Sequence, residues 1–287
     1  MNKQQAKFLS YYILQLLKAI NIIAVTVILI FNITILNYNY IQKKMNQTNY
    51  YETLYNDILE QMEDIIIPTG FDKDIFKDTF TVKEVSQIEQ KVIHNFYYNE
   101  KIVVNTSSFK EKLEENINKE LKEKHLKVEN EKDITNLVNE LADVYENNLY
   151  YFNFLENYKG SFYKLRYISN IVLVVSILLL ILFTILLEIL HKKRDKMSIP
   201  LITSGITFIV LYFYFKTKLN IDNLVLYSAG LSDIIITIFN SVFKILIIIS
   251  IIYILIGLLN RIIYFQKVLK HKKKKHKKDY TYEEDLD

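Results

Sequence analysis

Four apolar stretches, with one long hydrophilic block between the first and second, restrict this chain to a polytopic membrane protein carrying a single sizeable extramembrane domain. No formal charge falls between Ala19 and Gln42, between Tyr167 and Leu187, or between Met197 and Phe215. A helix needs ~20 mostly apolar residues to cross ~30 Å of hydrocarbon, so each run supplies one span. The fourth run is interrupted, because Ile245–Asn260 is bounded by Lys244 and Arg261 and is preceded by the uncharged segment Ile234–Phe243. One helix from Asp233 to Gln266 accommodates both pieces if Lys244 and Arg261 snorkel to the two interfaces. The runs are continuous rather than alternating, which selects helices over barrel strands.

The expected fold is therefore all-α. Spans are predicted over residues 19–41, 166–190, 199–216 and 233–266, with an interfacial helix over 1–18 and a helical domain over 42–165. Short connections over 191–198 and 217–232 and a basic-then-acidic tail over 267–287 complete the layout. The first apolar run is longer than the roughly 7–15 residues of a cleaved signal peptide and ends at Asn37–Tyr40 without a small-residue cleavage site, so a retained signal anchor is expected.

Basic residues set the orientation. Lys3, Lys7 and Lys18 precede the first span, Lys192, Lys193, Arg194 and Lys196 separate the second from the third, and Arg261, Lys267, Lys270, Lys272–Lys275, Lys277 and Lys278 follow the fourth. The connection between the third and fourth spans holds only Lys216 and Lys218, and Lys43 and Lys44 are too few to reverse the bias. Both termini are expected in the cytoplasm and the domain over 42–165 outside it, in a plasma membrane of bacterial type. Between Tyr38 and Leu165 there are 23 acidic and 16 basic residues, net −7, although the whole chain is +4.

The chain has no cysteine, which removes disulfides, thiolate metal sites and thiol nucleophiles. The hydrophilic domain must be held by its own core, and its periodicity is helical. Tyr51, Leu54, Tyr55, Ile58 and Met62 mark a helix continuing from the membrane to about Asp64, which Pro68 and Gly70 break. Asp72 opens a short helical segment carrying Ile75 and Phe76. Thr81 with Glu84, and Ser108 with Glu111, have the spacing of capping boxes. The helices they start bear Val85, Ile88, Val92 and Phe96, then Phe109, Leu113, Ile117 and Leu121. Lys101–Asn105 between them is β-prone, and Asp133 is the expected N-cap of a helix with Leu137, Val138, Leu141, Val144, Tyr145 and Leu149. Stripes of this width need one another, so a compact bundle is predicted.

Tyr150, Tyr151, Phe152, Phe154, Tyr158, Phe162, Tyr163 and Tyr167 crowd the approach to the second span, and Tyr38, Tyr40, Tyr50 and Tyr51 follow the first. An aromatic belt accounts for them, with a ligand-stacking cluster as the alternative. Gly160 is the expected hinge between bundle and span. No catalytic residue, cofactor or metal is expected. The five histidines are scattered, and no phosphate-binding loop, dinucleotide fingerprint or nucleophile elbow occurs.

The intramembrane polar candidates are Lys244, which either snorkels or faces a pore, and Glu188, placed to pair with Lys192 four residues on. Thr203, Ser204, Gly205 and Thr207, together with Ser250 and Gly257, offer small faces for close helix packing. Lys270, Lys272, Lys273, Lys274, Lys275, Lys277 and Lys278 form a polybasic run expected to lie on anionic headgroups, and the acidic end after it is expected to be disordered. The run lacks aromatics or a folded frame, so no nucleic-acid partner is expected; a protein partner or a second copy is.

Three readings of function follow. The bundle senses or docks something and passes the event to the four-span base without catalysis. Alternatively, the order of one span, a large outer domain and three more spans is similar to the layout of membrane subunits of the FtsX and MacB type, which implies work with a separate ATPase; the brevity of His191–Ser198 departs from that pattern. A small channel or transporter is the third.

Overall fold

The computed structural model describes residues 3–125, 131–149, 153–191, 194–224 and 229–284, and among these the regular secondary structure is all helix, with no strand. Its helices are α1 (Lys3–Ile33), α2 (Tyr38–Gln47), α3 (Tyr50–Ile66), α4 (Val82–Tyr98), α5 (Ser107–Glu123), α6 (Glu131–Leu149), α7 (Asn153–Leu190), α8 (Ser198–Lys218) and α9 (Ala229–Glu284). Four of them contain a segment long and apolar enough to cross a membrane: Gln4–Ile33, Asn157–Leu190, one beginning at Ser198 in α8, and Gly230–Lys270. The chain divides into two units, one of residues Met1–Asn32, Ile168–Ile221 and Asn240–Asp287, the other of Ile33–Tyr167 and Asp222–Phe239.

The second unit packs its helices around one apolar core. Leu54, Ile58, Met62 and Ile66 of α3 bury one face, joined by Val85, Val92 and Phe96 of α4, Phe109, Leu113 and Ile117 of α5, and Leu141, Tyr145 and Leu149 of α6. The spacings of three and four that mark each stripe put these side chains on one side of their helix, and burial of that side drives the assembly. Aromatic rings fill the centre. Phe109 stacks on Tyr145 at 4.4 Å and 5°, and Phe80 meets both rings edge-on.

The ends of the bundle helices follow from local chemistry. Thr81 caps α4 as expected, its Oγ1 accepting from the Glu84 amide at 3.2 Å and donating to the Glu84 carboxylate at 3.2 Å. Gly70 ends the break after α3 at φ 82°, a left-handed conformation that costs glycine little. The box at Ser108 does not form: α5 begins at Ser107 and so takes Ser108 into the helix, and the Asn105 side chain accepts from the Ser107 amide at 2.9 Å. Residues 101–105 make no strand, although Ile102 and Val104 are buried and Val103 is exposed, so alternation survives in an extended loop. The start of α6 follows residues outside the described set, and it includes Asp133 rather than being capped by it.

Four expected boundaries are corrected. The first span ends at Ile33, not near residue 41, and the first helix does not continue to Asp64. Asn37 caps α2 by accepting from the Tyr40 amide at 3.3 Å, and Asn49 at φ 53° separates α2 from α3. Polar asparagines able to cap a helix or adopt the left-handed conformation break the helix where apolar periodicity alone would continue it. The fourth helix begins within what is expected to be a loop, and its first turns belong to the bundle, where Ile234 is buried in the core. Gly230 permits this, since a Cβ there would lie 3.1 Å from the Tyr50 ring. At the other end α9 runs on to Glu284 instead of giving way to disorder, over a stretch rich in lysine and free of glycine and proline.

The first unit is held differently. The Ser204 hydroxyl donates to the Ala19 carbonyl at 3.1 Å, bringing α8 against α1. A Cβ on Gly205 would fall 2.8 Å from the Ser250 carbonyl oxygen, and one on Gly257 would fall 2.6 Å from Ile202, so α8 and α9 touch backbone to backbone. The expected small faces are thus packed together. Asn21 donates to the Ser176 carbonyl at 2.6 Å, and the hydroxyls of Thr26 and Tyr253 share a hydrogen bond at 2.7 Å. Large apolar side chains such as Leu178, Ile181, Ile189 and Leu259 point outward, as lipid-facing residues must.

Candidate functional site

The C-terminal end of α4 gathers more polar and aromatic contacts than any stripe pattern predicts. A helix end leaves its last carbonyls without intrahelical partners and carries partial negative charge. Here those carbonyls are taken by α7. Tyr163 donates to the Phe96 carbonyl at 3.1 Å, Arg166 donates to the Tyr97 carbonyl at 3.4 Å, and Lys159 donates to the Glu100 carbonyl just beyond the helix. Residues 159, 163 and 166 are spaced by four and three, so one face of α7 supplies all three donors. Two are cations at a negative helix pole, the favourable polarity.

The same end of α4 also grips the chain leaving α1. The Tyr97 hydroxyl donates to the Ile35 carbonyl at 2.5 Å, and Tyr38 packs its ring against His94, Tyr97 and Tyr98. His94 stacks on Tyr98 at 4.4 Å and lies 3.8 Å from the Glu100 carboxylate. Phe162 fills the remaining side against Phe96 at 4.8 Å and Tyr97 at 5.1 Å. Asn99 turns the chain at φ 62°, and the Asn95 amide holds the Lys101 carbonyl at 2.9 Å. One helix end therefore joins the segment after the first span to the segment before the second. Tyr163 and Phe162 serve this joint, while Tyr150, Tyr151 and Phe152 lie outside the described residues.

Further back on α4 a carboxyl group is wholly buried. Glu89 is fully enclosed, and Tyr50 donates to its Oε1 at 3.0 Å. Its Oε2 has no hydrogen-bond partner among the described residues. Burial pushes the Glu89 carboxyl up to about 8, against the pull of the Tyr50 hydrogen bond, so the group is mostly protonated at neutral pH. Tyr50 in turn faces Gly230 of α9. The residue sits four after Val85 and three before Val92, on the apolar stripe itself, and that misplacement is the signal by which sequence alone could have found it.

The first unit has a polar cluster of its own. Tyr11, Gln15 and Lys18 are buried on one face of α1, and donate to the Asp195 carbonyl at 2.5 Å, the same carbonyl at 2.7 Å, and the Lys196 carbonyl at 3.3 Å. The Asp195 carboxylate accepts from the Met197 and Ser198 amides at 3.1 Å and meets Arg261 at 3.4 Å. Burial works against its ionisation, yet the hydrogen bonds from Ser198 and Met197 and the Arg261 guanidinium hold the carboxyl below its ordinary value. The α7–α8 connection is thereby pinned to α1.

The residues singled out from the sequence fall apart from one another. Glu188 binds Lys196; Lys192, its expected partner, lies outside the described residues. Lys244 is exposed and forms no salt bridge with an acidic group among the described residues. Gly160 is exposed within the unbroken helix α7, with open space where a Cβ would go. Lys270 is exposed on α9, and the side chains of Lys272, Lys273, Lys274, Lys275, Lys277 and Lys278 lie outside the described residues. No cluster of three or more potential metal ligands occurs among the described residues. No protein-family model matches the chain, and no curated protein or solved structure does so.

Proposed function

We propose that the chain is a non-enzymatic component of a bacterial plasma membrane, whose extracytoplasmic bundle senses or docks a ligand or partner and passes the event to a four-helix base. Both termini are then cytoplasmic, as the distribution of Lys and Arg favours. The observation that carries the reading is the C-terminal end of α4, bound at once to Ile35 beyond the first span and to Lys159, Tyr163 and Arg166 ahead of the second. A movement of α4 in response to a bound partner pulls on both segments, and each passes directly into a membrane helix. A two-state change in such packing is the usual means by which docking is relayed. The basic run after Lys267 anchors the cytoplasmic end to anionic headgroups.

The absence of native cysteine makes the test direct. Spin labels on cysteines introduced at Leu29 and Val174 report the distance between the first two spans in the full chain, with and without a membrane extract containing candidate partners. Tyr163→Phe combined with Arg166→Ala is expected to abolish the extract-dependent distance change while the bundle stays folded. A change unaffected by the double substitution rules out this route of coupling. Protease shaving of intact cells, read at Glu115, checks the orientation, and protection of that region in whole cells overturns it.

A further inference from the structure

We propose that the cleft between the first turns of α1 and the α7–α8 connection binds the headgroup of an anionic phospholipid, with Arg194 as its charged anchor. The cleft has a volume of about 590 Å³ and is lined by Gln4, Gln5, Phe8, Leu9 and Arg194. The Arg194 guanidinium lies over the rings of Phe8 at 5.4 Å and Tyr11 at 4.8 Å, which fixes its position without neutralising it.

The ligand class follows from the charges left over. Two carboxylates with described side chains flank the α7–α8 connection, and both are engaged: Asp195 by Arg261 and two backbone amides, Glu188 by Lys196. Arg194 and Lys7 have no carboxylate partner among the described residues. Their field is felt at His191, whose protonation is disfavoured first by burial and then by Arg194 and Lys7. A site with unopposed positive charge selects a ligand with net negative charge. Among the side chains described, it also holds no free carboxylate to receive the ammonium group of a zwitterionic lipid.

The walls favour a lipid over a soluble anion. Phe8 and Leu9 are 53% and 49% exposed, an apolar border beside the guanidinium. The connection joins two membrane-spanning segments, so it stands at a bilayer surface, where a phosphate and its acyl chains can occupy the polar and apolar sides together. Planar guanidinium groups suit phosphate oxygens, two of which can be held at once. This inference needs only the four spans and stands apart from any sensing role of the bundle.

The test uses the full chain in nanodiscs of phosphatidylcholine, with the tail lysines from Lys270 to Lys278 replaced by glutamine so that they do not contribute. Phosphatidylglycerol is titrated in, and bound lipid is counted by native mass spectrometry. Saturation of one high-affinity position is expected. Arg194→Ala should weaken it about tenfold, in keeping with the loss of a charge-assisted pair, and Arg194→Lys less. Gln5→Glu, which leaves Arg194 and its ring contacts in place but supplies an internal counter-charge, should weaken it comparably. The proposal fails if both Arg194→Ala and Gln5→Glu bind phosphatidylglycerol as the parent does, or if phosphatidylcholine occupies the position equally. Displacement of the lipid by inorganic phosphate identifies a site for soluble anions and overturns it as well.

Discussion

The two units solve the same packing problem with opposite means. In the bundle, Ile58, Met62, Leu113 and Leu141 are wholly enclosed, and removal of their surfaces from water drives assembly. In the membrane unit many large side chains are exposed, although Leu187 and Phe208 are buried, and the closest approaches between helices fall at small residues, Ser204, Gly205, Ser250 and Gly257. Lipid tails are as apolar as leucine, so close backbone approach and hydrogen bonds to carbonyls must replace hydrophobic burial there. The difference teaches that one chain carries two packing codes, and that a substitution tolerated by one code is damaging under the other.

The strongest break in that contrast is Ile58→Ala, which leaves a cavity in the α3 face of the core and is expected to cost about 2–5 kcal/mol. Hydrogen exchange on the intact protein should then rise across α3–α6 and stay unchanged in α8; equal acceleration in both sets contradicts two separate codes. Gly205→Leu tests the other side. A Cβ there already meets the Ser250 carbonyl at 2.8 Å, so a larger side chain should separate α8 from α9 at a cost of roughly 1–3 kcal/mol, seen as a lower melting temperature in detergent.

Glu89 sharpens the comparison by pH. Its folded-state value of about 8 lies above the ordinary 4.5, so between these pH values the folded bundle holds a proton that the unfolded chain releases. Stability from this group is present below about 4.5 and declines as pH rises through 8, by a few kcal/mol across the window. Chemical denaturation at pH 5 and pH 8 should show the decline in the parent and a nearly flat profile in Glu89→Gln. A parent whose bundle is more stable at pH 8 would overturn the assignment. The smallest effect is expected at Gly160. Alanine there meets no neighbour and improves helix propensity, so Gly160→Ala should stabilise α7 by about 0.5–1 kcal/mol. A bend needed at that position would make the same substitution damaging to partner-dependent movement.

Local rules carried the reading of the sequence as far as one helix at a time. The stripes at Val85, Val92 and Phe96 and at Phe109, Leu113 and Ile117 are present as expected, because spacing alone assigns them a face. Likewise the pairing of Thr81 with Glu84 needs only three intervening bonds of helix. What stayed hidden depends on tertiary placement. Tyr163 reads as one more interfacial aromatic until the α4 carbonyls are seen beside it, and Arg166 reads as a flanking charge. Ile234 reads as the start of an apolar span because nothing in its neighbours reports that a bundle core lies around it. Helical spacing pairs Glu188 with Lys192, which lies outside the described residues, and gives no hint that the folded connection also brings Lys196 to it.

The burial of Ile234 has a consequence in time. Synthesis delivers residues 33–167 first, then two more membrane helices, and only afterwards the first turns of α9 that the core contains. A domain whose last wall is made so late must wait half-assembled while the intervening segments are synthesised. Chains released before Ile234 emerges would expose the apolar ground of the bundle, a ready target for quality-control proteases at the membrane.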